Sequence, residues 1–584
     1  MRNIFCASRR TVIHSPRHVH SCGSRSVFRC RSLPRPLSHA FRLQAFFLLL
    51  LTAIALVIAI APASVFAATL KRGPYLQMGK PTGITVRWRT DVSTNSRVQY
   101  GLTPGNLNQQ ANNSSQTTEH EIALTGLSSN TLYYYSVGSS SQVLASGTDY
   151  NFRTSPPAGS VSPTRIWVLG DSGESGTAGD HVRDAYYDYP GSSGTDVCLM
   201  LGDNAYDTGT DSEYQSWLFN RYKTFLRHCV LWATRGNHDE THSGSNNDYY
   251  DFFTMPTSGQ IGGVPSGSEA YYSFEYANIH FVCLDSEGTS RSPSGAMMQW
   301  LELDLDANNR PWVIAYWHHP PYSKGSHNSD DSGDSGGRMR DMRQNALPIL
   351  EEYGVDLVLS GHSHSYERSF LIDGHYGTSN TFNPSTMLVD GGDGDPDGDG
   401  EYHKPNSIGA DHEGAVYTVA GSSSETGGGS LNHPVMVTSL NVLGSMVIDV
   451  TGPLLDAVFL DSNGNIRDHF QIAKGAATDA PQVTKSPDVG LSLANASPNP
   501  FSSQTTFKYF LPSPGHVRLL VYDVAGRLVA TLAEGSKDQG QHRVEWNGKD
   551  SSGQHIPSGT YFVQLESNGA RRTQKVVVLD AQRS

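Results

Sequence analysis

Five stretches of the chain close on side chains that bind cations: Asp171 in GDSG, Asp203 in GDNAY, Asn237 and His238 in GNHD, His318 in WHHPPY, and His362 and His364 in GHSHSYER. Each follows an apolar run: RIWVLGD, DVCLMLGDN, VLWATRGNHD, WVIAYWHH and VDLVLSGHSH. Taken singly, each piece has an ordinary reading, because Gly-Asp is a common turn, Asn closes loops and His-x-His occurs as a surface pair. Together they describe something else. A polar group at the end of a buried strand is costly unless it finds a partner, and five such ends offering carboxylate, amide and imidazole donors point to a metal site.

The elements that must position these residues are legible around them. Continuous apolar strands alternate with helical patterns at residues 212–226, 296–306 and 338–353, which predicts sheets covered on both faces. In such folds ligands bind where the carboxyl ends of the strands emerge. Residues 70–154 instead alternate as short strands (ITVRWRT, SRVQYGL, HEIALTGL, TLYYYSVG, YNFRT), which predicts a β-sandwich, and TSPPAGSVSPT reads as a linker after it. Residues 491–584 form another all-β unit behind a poor core former, AKGAATDAPQVTKSPDVG, which reads as a tether over 475–490.

The ordered set GD-x-G, GD-xx-Y, GNH-D, a strand closing on His, and GH-x-H resembles the metallophosphoesterases, and Tyr206 makes it similar to their purple acid phosphatase branch. The resemblance implies a catalytic domain over residues 162–474 with a four-layer αββα sandwich. It also implies that residues 69–156 are the fibronectin type III-like β-sandwich that precedes this branch. Most metallophosphoesterases resemble one another in placing a histidine two residues after the first aspartate, but that position here is Gly173. Tyr206, three residues after Asp203, reaches the same ion from the same loop. A phenolate is a hard anionic donor and, with two carboxylates, favours Fe(III) over Zn(II). By resemblance, Asp171, Asp203, Tyr206 and His364 would hold Fe(III). Bridging Asp203 with Asn237, His318 and His362 would hold a divalent Zn, Fe or Mn ion.

Two close cations clamp phosphate oxygens, lower the pKa of a bound water to supply hydroxide, and stabilise charge in an in-line displacement. The resemblance therefore implies hydrolysis of a small phosphate ester, a phosphoric monoester in the first instance, with a phosphodiesterase or nucleotidase activity as the alternative on the same centre. His238 resembles the family's substrate-binding histidine, able to donate to a phosphate oxygen or protonate the leaving alkoxide. Asp239 would orient or charge that imidazole, or cap a turn. His327, nine residues after His318, stands where plant-type members carry the first of two adjacent substrate histidines, and Asn328 replaces the second. His319 is assigned a role beside the ligands. Asp393, Asp395 and Asp397 have the D-x-D-x-D-G form of a calcium loop, but position twelve is Lys404 where such a loop has Glu, so a rim loop is expected. Trp300, Trp312 and Trp317 read as core.

Before Ala68 the chain holds nine arginines and no acid, leading into AFFLLLLTAIALVIAIAPASVFAA. This reads as an export signal over residues 1–67, hence a secreted or cell-surface bacterial protein, with a membrane anchor as the alternative. Without it, 34 basic residues face 56 acidic ones, a surface that argues against a nucleic-acid partner. Cys198, Cys229 and Cys283 remain, each in an apolar run, and buried free thiols are expected. In residues 491–584, ASPNPF, VYDVAGRLV, WNGKDSSGQHIPSGTYFVQL and RRTQKVVVL resemble the C-terminal sorting domains of type IX secretion and the related immunoglobulin-like domains of flagellar hook-capping proteins. That resemblance implies export machinery as a partner. A rival from another class is a surface adhesion or carbohydrate-binding protein in which the two β-sandwiches act and the centre is inert.

Overall fold

The structure, a computed structural model, describes residues 67–239, 248–475 and, with short gaps, 492–579. The expected signal segment and tether lie outside the described residues.

The N-terminal strands are Leu70–Lys80, Gly83–Gly101, Gln109–Thr125 and Leu132–Gly138, with short pieces Val143–Ala145 and Asn151–Arg153. Two expected strands prove to be one. Gly83–Gly101 runs for 19 residues, its first half pairing with Leu70–Lys80 and its second with Leu132–Gly138. The polar stretch Asp91–Asn95 holds no Gly or Pro to stop it, so the chain passes through register shifts near Thr94 instead of turning. Inward residues such as Val86, Trp88, Val98, Tyr135 and Val137 are fully buried.

The central domain is built on two sheets. One runs in the order Tyr402–Lys404, Ile466–Lys474, Leu454–Asp461, Gly444–Thr451, Thr164–Leu169, Val197–Met200, Val230–Ala233, and continues into the N-terminal strands through the pairing of Leu76 with Val230. The other runs Tyr272–Tyr276, Ile279–Cys283, Trp312–Trp317, Leu357–Ser360, Val416–Ala420, Tyr366–Ser369, Met436–Leu440. Thr164–Leu169, Val197–Met200 and Val230–Ala233 are parallel, as are Ile279–Cys283 through Val416–Ala420, so their carboxyl ends point the same way within each sheet. Burial on both faces explains their unbroken apolar sequences. Trp300, Trp312 and Trp317 are core, and Cys198, Cys229 and Cys283 are buried and unpaired.

Two helices depart from expectation. The helix expected over 212–226 is one α-turn, Asp211–Glu213, followed by a π-helical turn, Tyr214–Asn220. The widened turn faces Tyr214, Leu218 and Phe219 to the core, and just past it the Arg221 guanidinium donates to the carbonyls of Ser172, Glu174 and Gly176. The helix expected over 338–353 is split at Ala346 into Arg338–Asn345 and Leu347–Glu352, because Pro348 has no N–H and its ring crowds the preceding turn.

At the C-terminus, Ser492–Leu493, Thr505–Leu511 and Gly540–Trp546 form one sheet, and Leu528–Lys537, Gly515–Asp523, Gly559–Ser567 and Ala570–Val578 form a second. Phe501, Phe507, Leu519, Val521, Trp546, Val563 and Val576 fill the core of this immunoglobulin-like sandwich.

Candidate metal centre

Glycine-led turns carry the chain from strand ends into the site. Asp171 follows Thr164–Leu169, Asp203 follows Val197–Met200, and His362 follows Leu357–Ser360; all three have left-handed φ, at 54°, 50° and 67°. Non-glycine residues rarely accept that conformation, and they do so here at three neighbouring turns, a pattern common at functional sites. Gly202 is required because a Cβ there would lie 2.5 Å from the His318 ring. Gly173 is required for a more telling reason: a Cβ would meet the backbone of Asn204 at 2.3 Å. The turn after Asp171 packs so closely on the turn after Asp203 that position 173 cannot carry a histidine, and the Tyr206 N–H donates across the gap to the Gly173 carbonyl at 3.2 Å.

The expected ligands come together. The Tyr206 hydroxyl lies 2.9 Å from Asp203 Oδ2, 3.1 Å from Asp171 Oδ1 and 3.3 Å from His364 Nε2. The second cluster centres on His318. Its Nδ1 donates to the Leu201 carbonyl at 2.8 Å, which turns Nε2 inward, 3.0 Å from Asn237 Oδ1, 3.2 Å from His362 Nδ1 and 3.3 Å from Asp203 Oδ2. Four groups whose main capacity is to offer lone pairs thus aim at one point, the arrangement a cation satisfies and neutral neighbours do not. Ligand atoms of Asp171, Asp203 and His318 all lie within 4.8 Å of one another, and all three residues are buried.

Electrostatics agree. Burial opposes a charge on His318, yet Asp203 and Asp171 raise its pKa to about 10, a sign of how strongly these carboxylates attract positive charge. Burial, with Asp171 and Asp203 alongside, pushes the Tyr206 phenol well above its ordinary range, so only a strongly polarising cation would draw off its proton. The residues present therefore fit a metal pair: a hard oxygen set with His364 on one side, a mixed imidazole and amide set on the other, and Asp203 between them.

The remaining expected residues are placed as follows. His238 sits beside Tyr206, ring centroids 4.2 Å apart, with Nδ1 2.8 Å from the Asp207 carbonyl and its backbone N–H donating to Asp203 Oδ1 at 2.8 Å. His327 stacks on His362 at 3.9 Å, and its Nδ1 lies 2.8 Å from Asp334 Oδ1. Asp239, expected either to orient His238 or to cap a turn, is buried between the turns of the site. Its buried carboxylate accepts from the backbone N–H and side-chain amide of Asn204, the Gly236 N–H and the Tyr214 hydroxyl, so it ties the turn carrying Asn237 to the turn carrying Asp203. Those inward bonds fit the turn-capping use of Asp239. His319 is buried against Ser286, with Nδ1 2.9 Å from its hydroxyl, and burial together with His318 holds its pKa well below the usual value. Asp393 and Asp395 accept from backbone amides of their own loop.

Several contributors escaped the sequence reading. Glu425 Oε2 lies 3.4 Å from His364 Nδ1, the carboxylate–imidazole pairing that orients a metal ligand. Ser424 donates to the Asp171 carbonyl, and Ser423 accepts from the Gly170 N–H at 3.2 Å. These serines close Val416–Ala420, so extending the strand-end rule to GSSSE would have found them. Asp334 and Ser335 gave no signal inside a Ser/Gly/Asp loop.

Comparison with known proteins follows the same lines. Residues 164–366 match the calcineurin-like phosphoesterase family, 72–154 the purple acid phosphatase N-terminal domain, and 499–571 the FlgD Ig-like domain. Purple acid phosphatase 15 of Arabidopsis thaliana is 28% identical over 320 residues, covering 48% of this chain and 57% of that protein, so the match spans little more than half of the plant relative. Acid phosphatase type 7 of Homo sapiens is 30% identical over 329 residues, covering 50% of this chain and 69% of the human protein. A purple acid phosphatase from yellow lupin (Lupinus luteus) seeds shares the fold with a TM-score of 0.54 at 17% identity, over 69% of this chain and 74% of that one.

Proposed function

This chain belongs to the purple acid phosphatase family of metallophosphoesterases, and on that premise we propose that it hydrolyses phosphoric monoesters at a binuclear centre of Fe(III) and a divalent Zn, Fe or Mn ion. The observation that carries this reading is the convergence of Asp203, Asn237 and His362 on His318 Nε2, beside the Asp171, Asp203, Tyr206 and His364 set. When bound, the two ions would supply Lewis acidity and a water of lowered pKa. The chain's own groups do the rest. His238 stands beside Tyr206, where it would donate to a phosphate oxygen or return a proton to the leaving alkoxide, with Asp207 setting the ring's orientation. His327 would contact the phosphate from the opposite side, over the His362 ring.

A second reading on the same centre is a phosphodiesterase. Asn328, where plant-type members have a second substrate histidine, has its N–H tied to Asp334 Oδ2 at 2.8 Å, which leaves one histidine on that loop to grip a doubly charged phosphate. Turnover of an aryl phosphate against a bis-aryl phosphate separates the two: the first reading expects faster monoester hydrolysis, the second the reverse. No turnover of either by protein loaded with iron and zinc or manganese would sink both and leave the adhesion class standing. We further propose export, supported by the arginine-rich and apolar N-terminal sequence and by the C-terminal immunoglobulin-like sandwich as the element that would meet the export machinery.

A further inference from the structure

The loop between Trp312–Trp317 and Arg338–Asn345 is held in place on both sides of His327. Glu367 accepts from the Ser323 hydroxyl and the Lys324 N–H, and Asp330 accepts from the Ser379 N–H at 2.7 Å. The Arg343 guanidinium donates to the carbonyls of Pro321 and Ser329. Beyond that anchorage, Asp334 collects three donors: His327 Nδ1 at 2.8 Å, the Asn328 N–H at 2.8 Å and the Ser335 hydroxyl at 2.8 Å. The same Ser335 hydroxyl lies 2.6 Å from His362 Nε2, the ring nitrogen opposite the one that faces His318. Ser335 achieves this with φ 51° and ψ 28°, followed by two glycines in similar conformation. A non-glycine residue in that region is unfavourable unless its side chain is used.

We propose that Asp334 and Ser335 are positioning residues that link His327, a substrate-binding group, to His362, a ligand of the second ion, so that phosphate binding and retention of the divalent ion reinforce each other. The inference rests on the metallophosphatase reading. Asp334 fixes the His327 ring by a charge-assisted hydrogen bond, and Ser335 fixes His362 from behind, while the two rings stack at 3.9 Å and 21°. Any shift of one ring is therefore felt by the other through two routes, the stack and the Asp334–Ser335 chain.

The test uses the full chain with Asp334→Asn and Ser335→Gly. Glycine removes the hydroxyl while accepting the left-handed backbone, so Ser335→Gly should melt no lower than wild type yet bind Zn²⁺ about tenfold more weakly in chelator competition. Asp334→Asn should raise KM for an aryl phosphate and the inhibition constant of inorganic phosphate about tenfold, with kcat within about threefold. Inorganic phosphate should tighten Zn²⁺ binding more in wild type than in either variant. The proposal is overturned if wild type is active and both variants share its phosphate inhibition constant and Zn²⁺ affinity, or if every loss tracks a lowered melting temperature. A wild type that neither hydrolyses phosphate esters nor retains two ions would instead defeat the underlying reading.

Discussion

Replacing Asp239 by Asn separates a brace from a catalytic group. The carboxylate collects four donors: Oδ1 takes the Tyr214 hydroxyl at 2.5 Å, Oδ2 takes the Gly236 N–H at 2.8 Å and the Asn204 amide at 2.9 Å, and the Asn204 N–H is shared between Oδ1 at 3.1 Å and Oδ2 at 3.3 Å. An amide nitrogen can replace only one oxygen. In place of Oδ1, it leaves the Asn204 N–H only its longer bond to Oδ2, at 3.3 Å, while the Tyr214 hydroxyl turns round; in place of Oδ2, it strands two donors. The better orientation still costs about 1 kcal/mol for the weakened buried N–H bond. Loss of charge from the remaining bonds adds on the order of 1 kcal/mol. A total of about 2 kcal/mol corresponds to a fall of roughly 3 °C in melting temperature for a domain of about 300 residues. Thermal melting of both proteins at matched metal loading measures it. If Asp239 oriented His238 instead, kcat would fall with melting unchanged, and a melting temperature within about 1 °C of wild type would refute the brace.

Three further outcomes follow from named contacts. His238→Ala should lower kcat/KM by about 10²–10⁴ on an aryl phosphate while iron content stays constant, since the side chain is assigned to substrate and not to metal. Burial raises the Glu351 carboxyl to about 7 even though Tyr376, Tyr417 and the Gly374 N–H donate to it. Between its unfolded pKa near 4.5 and that value the folded state binds the proton more tightly, so stability falls as pH rises through this window; Glu351→Gln should flatten that slope, worth on the order of 1–3 kcal/mol, in denaturant titrations at pH 4.5 and 8. Asp211 joins Arg72, at 2.6 Å, and Arg89, at 2.5 Å, to the turn after the Tyr206 loop, so Asp211→Ala should cost about 1–3 kcal/mol and loosen the N-terminal sandwich, read as increased proteolysis in that region.

How much of this was legible in the sequence depended on what kind of information each residue carries. Asp171, Asp203, Asn237, His318, His362 and His364 stood out because an apolar strand ending in a metal donor is a local pattern, and burial of parallel strands makes that pattern unbroken, whereas Tyr206 joined them only through the family resemblance. For Asp239 the sequence left two roles open, orienting His238 or capping a turn, because the partners that engage its carboxylate, Tyr214 and Asn204, come from other turns. Tyr214 itself sits on a π-helical turn that apolar periodicity presents as an ordinary helix. Asp334 and Ser335 depend on left-handed backbone within a polar loop, which composition does not reveal. The long strand Gly83–Gly101 was divided because a polar stretch resembles a turn until its pairing partners are known.

Gly173 and Tyr206 bind the account together: the first has no room for a side chain, and the second supplies a phenol to the same pair of carboxylates. The visible absorption spectrum of the purified, iron-loaded protein tests this most directly, because a tyrosinate bound to Fe(III) gives a charge-transfer band. The account predicts a coloured protein whose band is lost or strongly weakened in Tyr206→Phe; an unchanged band in that variant would contradict it.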